Sequence, residues 1–454
     1  MPQNQAIYDA RQLGRTKMFI LGVQHMFAMF GATVLVPALT GLSVSATLLF
    51  AGLGTLLFHF LTKRKVPAFL GSSFAFIGGY QAIAPMLEDG TANTQMLPYA
   101  SFGVALAGLM YVILSALFKV FGTKKVMRYF PPIVTGPVII CIGLTLSSTA
   151  ITNCRDNWAI ALIAIAIVVG CNIWGKGMVK IIPILLGVVG SYGVAVICQV
   201  TGMHTMDPAK LQALADAPWI GLPFQFQDTL FGLFSRPDLD TGLLLTAAVT
   251  IMPLSLATMV EHIGDMCAIS STCERNYLQD PGFHRTLLGD GLATTLASIF
   301  GAPANTTYGE NTGVLALSKV YDPRVIRIAA GLAILFSFSP KFAALVSAMP
   351  TATMGGVSMV LYGMISAVGV RNVVENQVDF TNSRNVIIAA LIMVLAIGIN
   401  YSGAVSFQVG EATISLSGLA VAAITGIVLN AILPGKDYEF GHDEKGDTAV
   451  NFKV

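Results

Sequence analysis

The sequence predicts an all-α polytopic membrane protein. It has 14 transmembrane segments in two inverted repeats of seven, with two short antiparallel strands at the broken segments 3 and 10. Three observations lead there: a composition suited to lipid, an alternation of basic and base-poor loops, and a weak internal repetition that keeps its order.

Of 454 residues, 54% are hydrophobic and only 11% are charged, against about 25% charged in an average soluble domain. With a mean hydropathy of +0.72, the chain has too few charges to cover a water-facing surface, which excludes a single soluble globule. The net charge of +2 and the absence of any basic run longer than Lys63-Arg64-Lys65 argue against nucleic-acid binding. The six cysteines (Cys141, Cys154, Cys171, Cys198, Cys267 and Cys273) are scattered without a CxxC or a His/Cys cluster, so neither a disulfide framework nor a metal site is implied. Met1 to Arg15 is polar and lacks a small-residue cleavage site, so no removable signal peptide is expected.

A spanning helix needs about 20 mostly apolar residues. Candidate spans are 17–37, 44–61, 68–87 (broken), 100–121, 131–151, 157–175, 181–202, 242–269, 284–300, 302–319 (broken), 324–348, 351–369, 384–402 and 416–433. The connection 203–240 mixes apolar residues such as Trp219 and Phe224 with acids, as an interfacial lid would. The positive-inside rule tests the count, because every true crossing should switch the loop from basic to base-poor. From a cytoplasmic N-terminus, 22 of the 26 Lys and Arg fall on one side and only Arg155, Lys210 and Arg236 on the other, with Lys341 inside a span. Removing either broken span would destroy this asymmetry, so both count as crossings.

The repetition links Val23-Gln24-His25-Met26 to Val260-Glu261-His262-Ile263, Ser72-Ser73-Phe74-Ala75-Phe76 to Thr306-Thr307-Tyr308-Gly309-Glu310, and Pro131/Gly136 to Pro350/Gly355. The offsets are 237, 234 and 219 positions. Three matches in the same order suggest a duplicated unit of seven crossings. An odd number inverts the second copy, as in secondary transporters.

In such folds the ligand lies near the bilayer midplane, at discontinuous helices with free backbone groups. The broken spans begin with Pro67-Ala68-Phe69-Leu70-Gly71-Ser72-Ser73 and Gly301-Ala302-Pro303-Ala304-Asn305-Thr306-Thr307, which resist helix formation. Extended backbone at that depth must bond to protein. The two segments are therefore expected to pair as antiparallel strands, leaving amides near Phe74 and Gly309-Glu310 for a ligand. The alternative is that these small residues merely pack helices tightly.

Acids within apolar spans are functional candidates by default. Glu261 and Asp265, at i and i+4, project from one helix face, Glu310 opens the second half-helix, and Asp290 lies in the preceding span. Two close carboxylates in a low dielectric split their pKa values, so one of them can exchange a proton. Together with a ligand-binding carboxylate, that is the minimum of a proton symporter. Glu261 and Asp265 would be ordinary if they lay past the membrane edge, and Asp290 could be a structural acceptor. His25 and His262 could each be satisfied core groups. Phe74 and Tyr308 lie beside the expected ligand amides, where a planar heterocycle could stack.

The stretches Gln24-His25-Met26-Phe27-Ala28-Met29-Phe30-Gly31-Ala32-Thr33, Gly71-Ser72-Ser73-Phe74-Ala75-Phe76, Glu261-His262-Ile263-Gly264 and Asn305 to Val314 resemble the bacterial uracil permeases of the nucleobase/ascorbate transporter family, over about residues 15 to 434. The family signature is matched by Glu310-Asn311-Thr312-Gly313 and Ser318-Lys319, with Ser in place of the usual Thr. The resemblance implies a core domain from 15–122 (segments 1–4) and 241–349 (segments 8–11). It also implies a gate domain from 124–203 (segments 5–7) and 350–434 (segments 12–14), and a cytoplasmic tail at 435–454. It further implies a homodimer in the cytoplasmic (inner) membrane of a bacterium, with both termini cytoplasmic.

In that family the acid at Glu261 binds the base and the acid at Glu310 is linked to proton coupling. Backbone near Phe74, Tyr308 and Gly309 completes the site. Asp265 stands where uracil carriers commonly have His, as in the xanthine and urate branch, which however usually has Gln at the position of Glu310. The expectation is a transporter, not an enzyme, importing uracil by proton symport. Substrate-binding residues would be Glu261, Glu310, Phe74, Gly309 and Tyr308, and coupling residues Glu310, Asp265 and His25. No cofactor or metal is expected; the coupling ion is H+, with sodium as the alternative. A xanthine, urate or other nucleobase symporter, or an anion exchanger on the same fold, is the rival.

Overall fold

A computed structural model describes residues 6–87, 91–203, 206–409 and 412–436. The first half runs α1 (Arg15–Thr40), α2 (Val44–Leu61), β1 (Leu70–Ser72), α3 (Ile77–Ile83), α4 (Leu97–Phe121), α5 (Thr123–Met127), α6 (Pro132–Cys154), α7 (Trp158–Trp174), α8 (Met178–Ile181) and α9 (Pro183–Val200). Two short helices, α10 (Pro208–Asp216) and α11 (Leu230–Phe234), lie in the long connection. The second half runs α12 (Thr241–Ile251), α13 (Leu254–Thr272), α14 (Phe283–Ile299), β2 (Asn305–Thr307), α15 (Gly309–Ser318), α16 (Pro323–Ser337), α17 (Pro340–Ser347), α18 (Thr351–Glu375) and α19 (Ser383–Ser402). It closes with β3 (Val405–Val409), β4 (Ala412–Leu416) and α20 (Gly418–Ile432).

Among the described residues, eight helices are long and apolar enough to cross a membrane, taking α12 and α13 as one. The protein is therefore a multi-pass membrane protein. The predicted span 242–269 is interrupted at Pro253, and the predicted span 324–348 bends by 89° between α16 and α17, where Pro340 cannot continue a helix. The β3–β4 pair lies largely in 403–415, between the predicted spans 384–402 and 416–433, where the span pattern predicts a connection.

Glycines set the closest helix contacts. A Cβ on Gly136 of α6 would press on Gly369 and Val373 of α18, and one on Gly355 of α18 would press on Ala150 and Cys154 of α6. Each residue is related to its counterpart in the other contact by 219 positions, the offset of the Pro131/Gly136 and Pro350/Gly355 match. Gly108 of α4 and Gly291 of α14 likewise bring two backbones together.

Lys341, unplaced by the charge pattern, lies at the α16–α17 bend. Its Nζ donates to the carbonyls of Leu214 and Ala215 at 2.8 and 2.9 Å, fastening the end of α10. A cation suits the carbonyl end of a helix. Backbone bonds Gly221 N to Phe338 O and Lys341 N to Pro218 O complete the attachment of the connection to the bend.

Candidate functional site

The two broken segments meet as antiparallel strands, with Leu70 opposite Thr307, Gly71 opposite Thr306 and Ser72 opposite Asn305. Bonds from Ser73 N to Ala304 O (2.8 Å) and from Tyr308 N to Phe69 O (3.0 Å) extend the ladder by one pair at each end. Each strand then leads into its half-helix, α3 or α15, so the first-turn amides of both helices follow the crossing directly. Such amides have no intrahelical acceptor and carry the positive end of the helix dipole.

Each strand is held from a neighbouring helix by one threonine. Thr55 Oγ1 of α2 takes the N–H of Leu70 (2.9 Å) and donates to its carbonyl (3.3 Å). Thr294 Oγ1 of α14 does the same for Asn305, at 3.2 and 2.9 Å. The hydroxyl satisfies both backbone groups of a buried extended residue, which would otherwise cost a few kcal/mol.

Glu261 and Asp265 lie on α13 and are partly accessible, one turn apart. Asp265 Oδ2 accepts from Thr307 Oγ1 at 2.7 Å, which joins the acid helix to the last residue of β2. His262, between them in sequence, is fully buried with its Nδ1 2.9 Å from Oδ2 of the equally buried Asp290. A carboxyl group so enclosed needs a partner of this kind.

Around α15, Tyr308 is the helix N-cap residue. Its hydroxyl donates to Ser72 O (2.9 Å) and lies 3.1 Å from Ser72 Oγ, while its ring packs on Gly71, where no Cβ would fit. Gly309 follows with open space where a side chain would stand. Glu310 is the next helical residue; its side chain lies outside what the structure describes. Asn311 Nδ2 donates to the carbonyl of His25 (3.0 Å) and lies 3.2 Å from His25 Nδ1, fixing α15 to α1. Phe74 is buried and meets Tyr362 of α18 edge-on, with centroids 5.8 Å apart.

The residues singled out from the sequence thus fall around one crossing: Asp265 through Thr307, Tyr308 and Gly309 beyond β2, Phe74 beyond β1, and His25 through Asn311. Sequence reasoning missed the bracketing pair Thr55 and Thr294; Asp290 and Asn311 stood out in the sequence, but not as the partners of His262 and His25. A threonine in an apolar helix carries no signal of its own, and a side-chain partner almost 300 positions away shows no spacing.

Residues 16–404 match the permease family, Xan_ur_permease. The chain belongs to the permease family. The permease is 38% identical over 445 residues to the uracil permease of Bacillus subtilis (strain 168), covering 95% of each chain. To the uracil permease of Bacillus caldolyticus it is 40% identical over 443 residues, covering 95% of the permease and 96% of that relative. The uracil permease of Escherichia coli (strain K12) is 35% identical over 423 residues, with 91% and 90% covered.

Among solved structures, the permease superposes on SLC26A9 with a TM-score of 0.64 at 13% identity, over 94% of its own length and 66% of that chain. It also superposes on the transmembrane domain of the cyanobacterial bicarbonate transporter BicA with a TM-score of 0.55 at 14% identity, over 94% and 99%. At such identities the likeness fixes the fold alone, a transporter fold of the SLC26 and BicA type.

Proposed function

We propose that the permease imports uracil by proton symport across the cytoplasmic membrane of a bacterium. The observation that carries the uracil reading is the end-to-end similarity, at 35 to 40% identity, to relatives named uracil permease. In this reading Glu261 accepts N–H bonds from the base, amides at Phe74 and Gly309 meet its carbonyls, and Tyr308 holds the crossing rigid. Asp265, bonded to Thr307 of β2, and His25, bonded to Asn311 of α15, connect the proton path to the second strand and its half-helix. Glu310 stands beside the base: ionised it repels Glu261, protonated it donates. Base and proton therefore favour each other by the same free energy. No cofactor takes part; sodium in place of the proton is the alternative coupling ion.

The architecture in this reading is 14 segments in two inverted sevens, counting the shorter apolar helices α7 and α20 together with β1–α3, β2–α15, α14 and the bent α16–α17 as crossings beside the eight long ones. Reciprocal glycine contacts between α6 and α18 and the paired threonine brackets support it. Segments 1–4 and 8–11 form the core and 5–7 and 12–14 the gate. The transporter works as a homodimer with both termini cytoplasmic.

A purine carrier is the second reading, because Asp265 stands where uracil carriers commonly have His. An anion exchanger is disfavoured by two acids, Glu261 and Asp265, on the face beside the crossing. Competition of labelled uracil uptake by unlabelled bases separates these readings: uracil should compete best, and stronger competition by xanthine or by bicarbonate would replace the assignment. Glu261→Gln presents a donor to a donor and loses a charge-assisted bond worth about 1.5–3 kcal/mol, so purified variant should bind uracil at least about tenfold more weakly. Affinity within about threefold of wild type would remove Glu261 from the site.

A further inference from the structure

Away from the strand crossing, a cavity of about 500 Å³ opens between the start of α1, the end of α15 and the short helix α8. Its apolar wall includes Ile20 and Leu21 of α1, Met178 of α8 and Leu317 of α15, and its charged side chains are Lys17 and Lys180, with no acid among the lining residues. Neither lysine makes an ion pair or hydrogen bond among the described residues. Ile20 and Leu317 are half exposed, so the wall continues outward as apolar surface. Leu317 lies eight residues beyond Gly309, about 12 Å along the helix, which sets the cavity apart from the base site. Gly177, at φ +56°, turns the chain into α8, and α8 reaches α1 and α15 across the cavity.

We infer that this cavity binds an anionic phospholipid, its phosphate between Lys17 and Lys180 and an acyl chain along Ile20, Leu21 and Leu317. The two chemistries of the lining, two unneutralised ammonium groups and a set of aliphatic side chains, match the headgroup and the acyl chain of such a lipid. Lysine supplies a point charge on a flexible stem that adapts to a phosphate, and basic pockets between transmembrane helices take anionic headgroups in this way. Lysines that only snorkelled to the interface would need no cavity, and would favour anionic lipid no more than nearby cations such as Arg15 and Lys176 do.

The test is native mass spectrometry of the purified full chain titrated with dioleoylphosphatidylglycerol or dioleoylphosphatidylcholine, with uracil binding measured on the same preparations. Phosphatidylglycerol should be retained about tenfold better than phosphatidylcholine. Lys17→Ala/Lys180→Ala should lower that affinity by about tenfold or more, whereas Arg15→Ala/Lys176→Ala, which removes equal charge nearby, should leave it within about twofold. Leu317→Trp, which fills the cavity without touching charge, should also weaken retention. Uracil affinity should be unchanged in all of these variants, so that the lipid site and the base site stand or fall separately. Equal retention of the two lipids, a Lys17→Ala/Lys180→Ala variant that binds like wild type, or displacement of the lipid by excess inorganic phosphate would overturn the inference.

Discussion

Helices α1 and α13 carry the same short pattern, Val23-Gln24-His25-Met26 and Val260-Glu261-His262-Ile263, yet they are equipped differently. Where α13 has the acids Glu261 and Asp265, α1 has Gln24 and Ala28. Both histidines are fully buried, but His25 meets the neutral amide of Asn311 and His262 the carboxyl of Asp290. The strands that follow repeat the contrast. Both are bracketed by a threonine, and β2 is in addition tied to an acid, through Thr307 and Asp265. The frame is common to both halves, while the ionisable chemistry is concentrated in the second. A proton-coupled site needs only one copy of each titrating group, and a second buried set would add desolvation cost without function.

The glycines around the crossing give the largest expected effect. A side chain at Gly309 meets open space, so Gly309→Val should fold and reach the membrane yet lose uracil transport, because the branched side chain fills the room the base needs. Gly71→Val should fail earlier, since its Cβ would overlap the Tyr308 ring and open the strand pair. Gly170, also in open space, serves as the control that keeps transport. Uptake by the Gly309→Val variant at the wild-type rate would mean that the base does not approach this backbone.

The histidine partners should differ next. Asp290→Ala leaves His262 in a buried site without its partner and should cost about 3–5 kcal/mol. Asn311→Ala removes a neutral amide and should cost about 1–3 kcal/mol. Thermal unfolding of the purified variants ranks the two, and a larger loss for Asn311→Ala would reverse the claim that the histidine–carboxyl contact of the second half is the costlier one to break.

The threonine brackets should show the smallest difference. Thr55→Val and Thr294→Val each leave one buried N–H and one carbonyl without a partner, and each should cost a similar amount, about 1–3 kcal/mol. Unequal losses, measured by the same unfolding assay, would argue that the two strands are not equivalent parts of the frame.

Much of this was legible in the sequence, for identifiable reasons. Lipid forces backbone groups to be satisfied within the protein, so Pro67 to Ser73 and Gly301 to Thr307 could be read as extended segments that need each other, and β1 and β2 pair accordingly. The i, i+4 spacing of Glu261 and Asp265 put both on one face. What could not be read were contacts set by the tertiary fold, such as His25 with Asn311 and Lys341 with the end of α10. The β3–β4 pair carried its own signal, since Val405-Ser406-Phe407-Gln408-Val409 and Ala412-Thr413-Ile414-Ser415-Leu416 alternate apolar and polar residues around Gly410-Glu411, but between two apolar helices the segment reads as a connection when only spans of about 20 residues are sought. The breaks at Pro253 and Pro340 were visible as prolines, the second beside Lys341, but apolar residues on both sides made each segment read as a single span.

The central claim, that one half supplies both the base-binding and the proton-linked acid, is tested most directly at Glu310. Wild type and Glu310→Gln are reconstituted in proteoliposomes, and labelled uracil uptake is followed under an imposed inward proton gradient without sodium. Wild type should accumulate uracil. Glu310→Gln, a mimic of the protonated acid, should exchange uracil across the membrane, bind it with a flattened pH dependence and fail to accumulate it. Accumulation by Glu310→Gln equal to wild type would take Glu310 out of the coupling, and a strict sodium requirement in wild type would contradict proton symport itself.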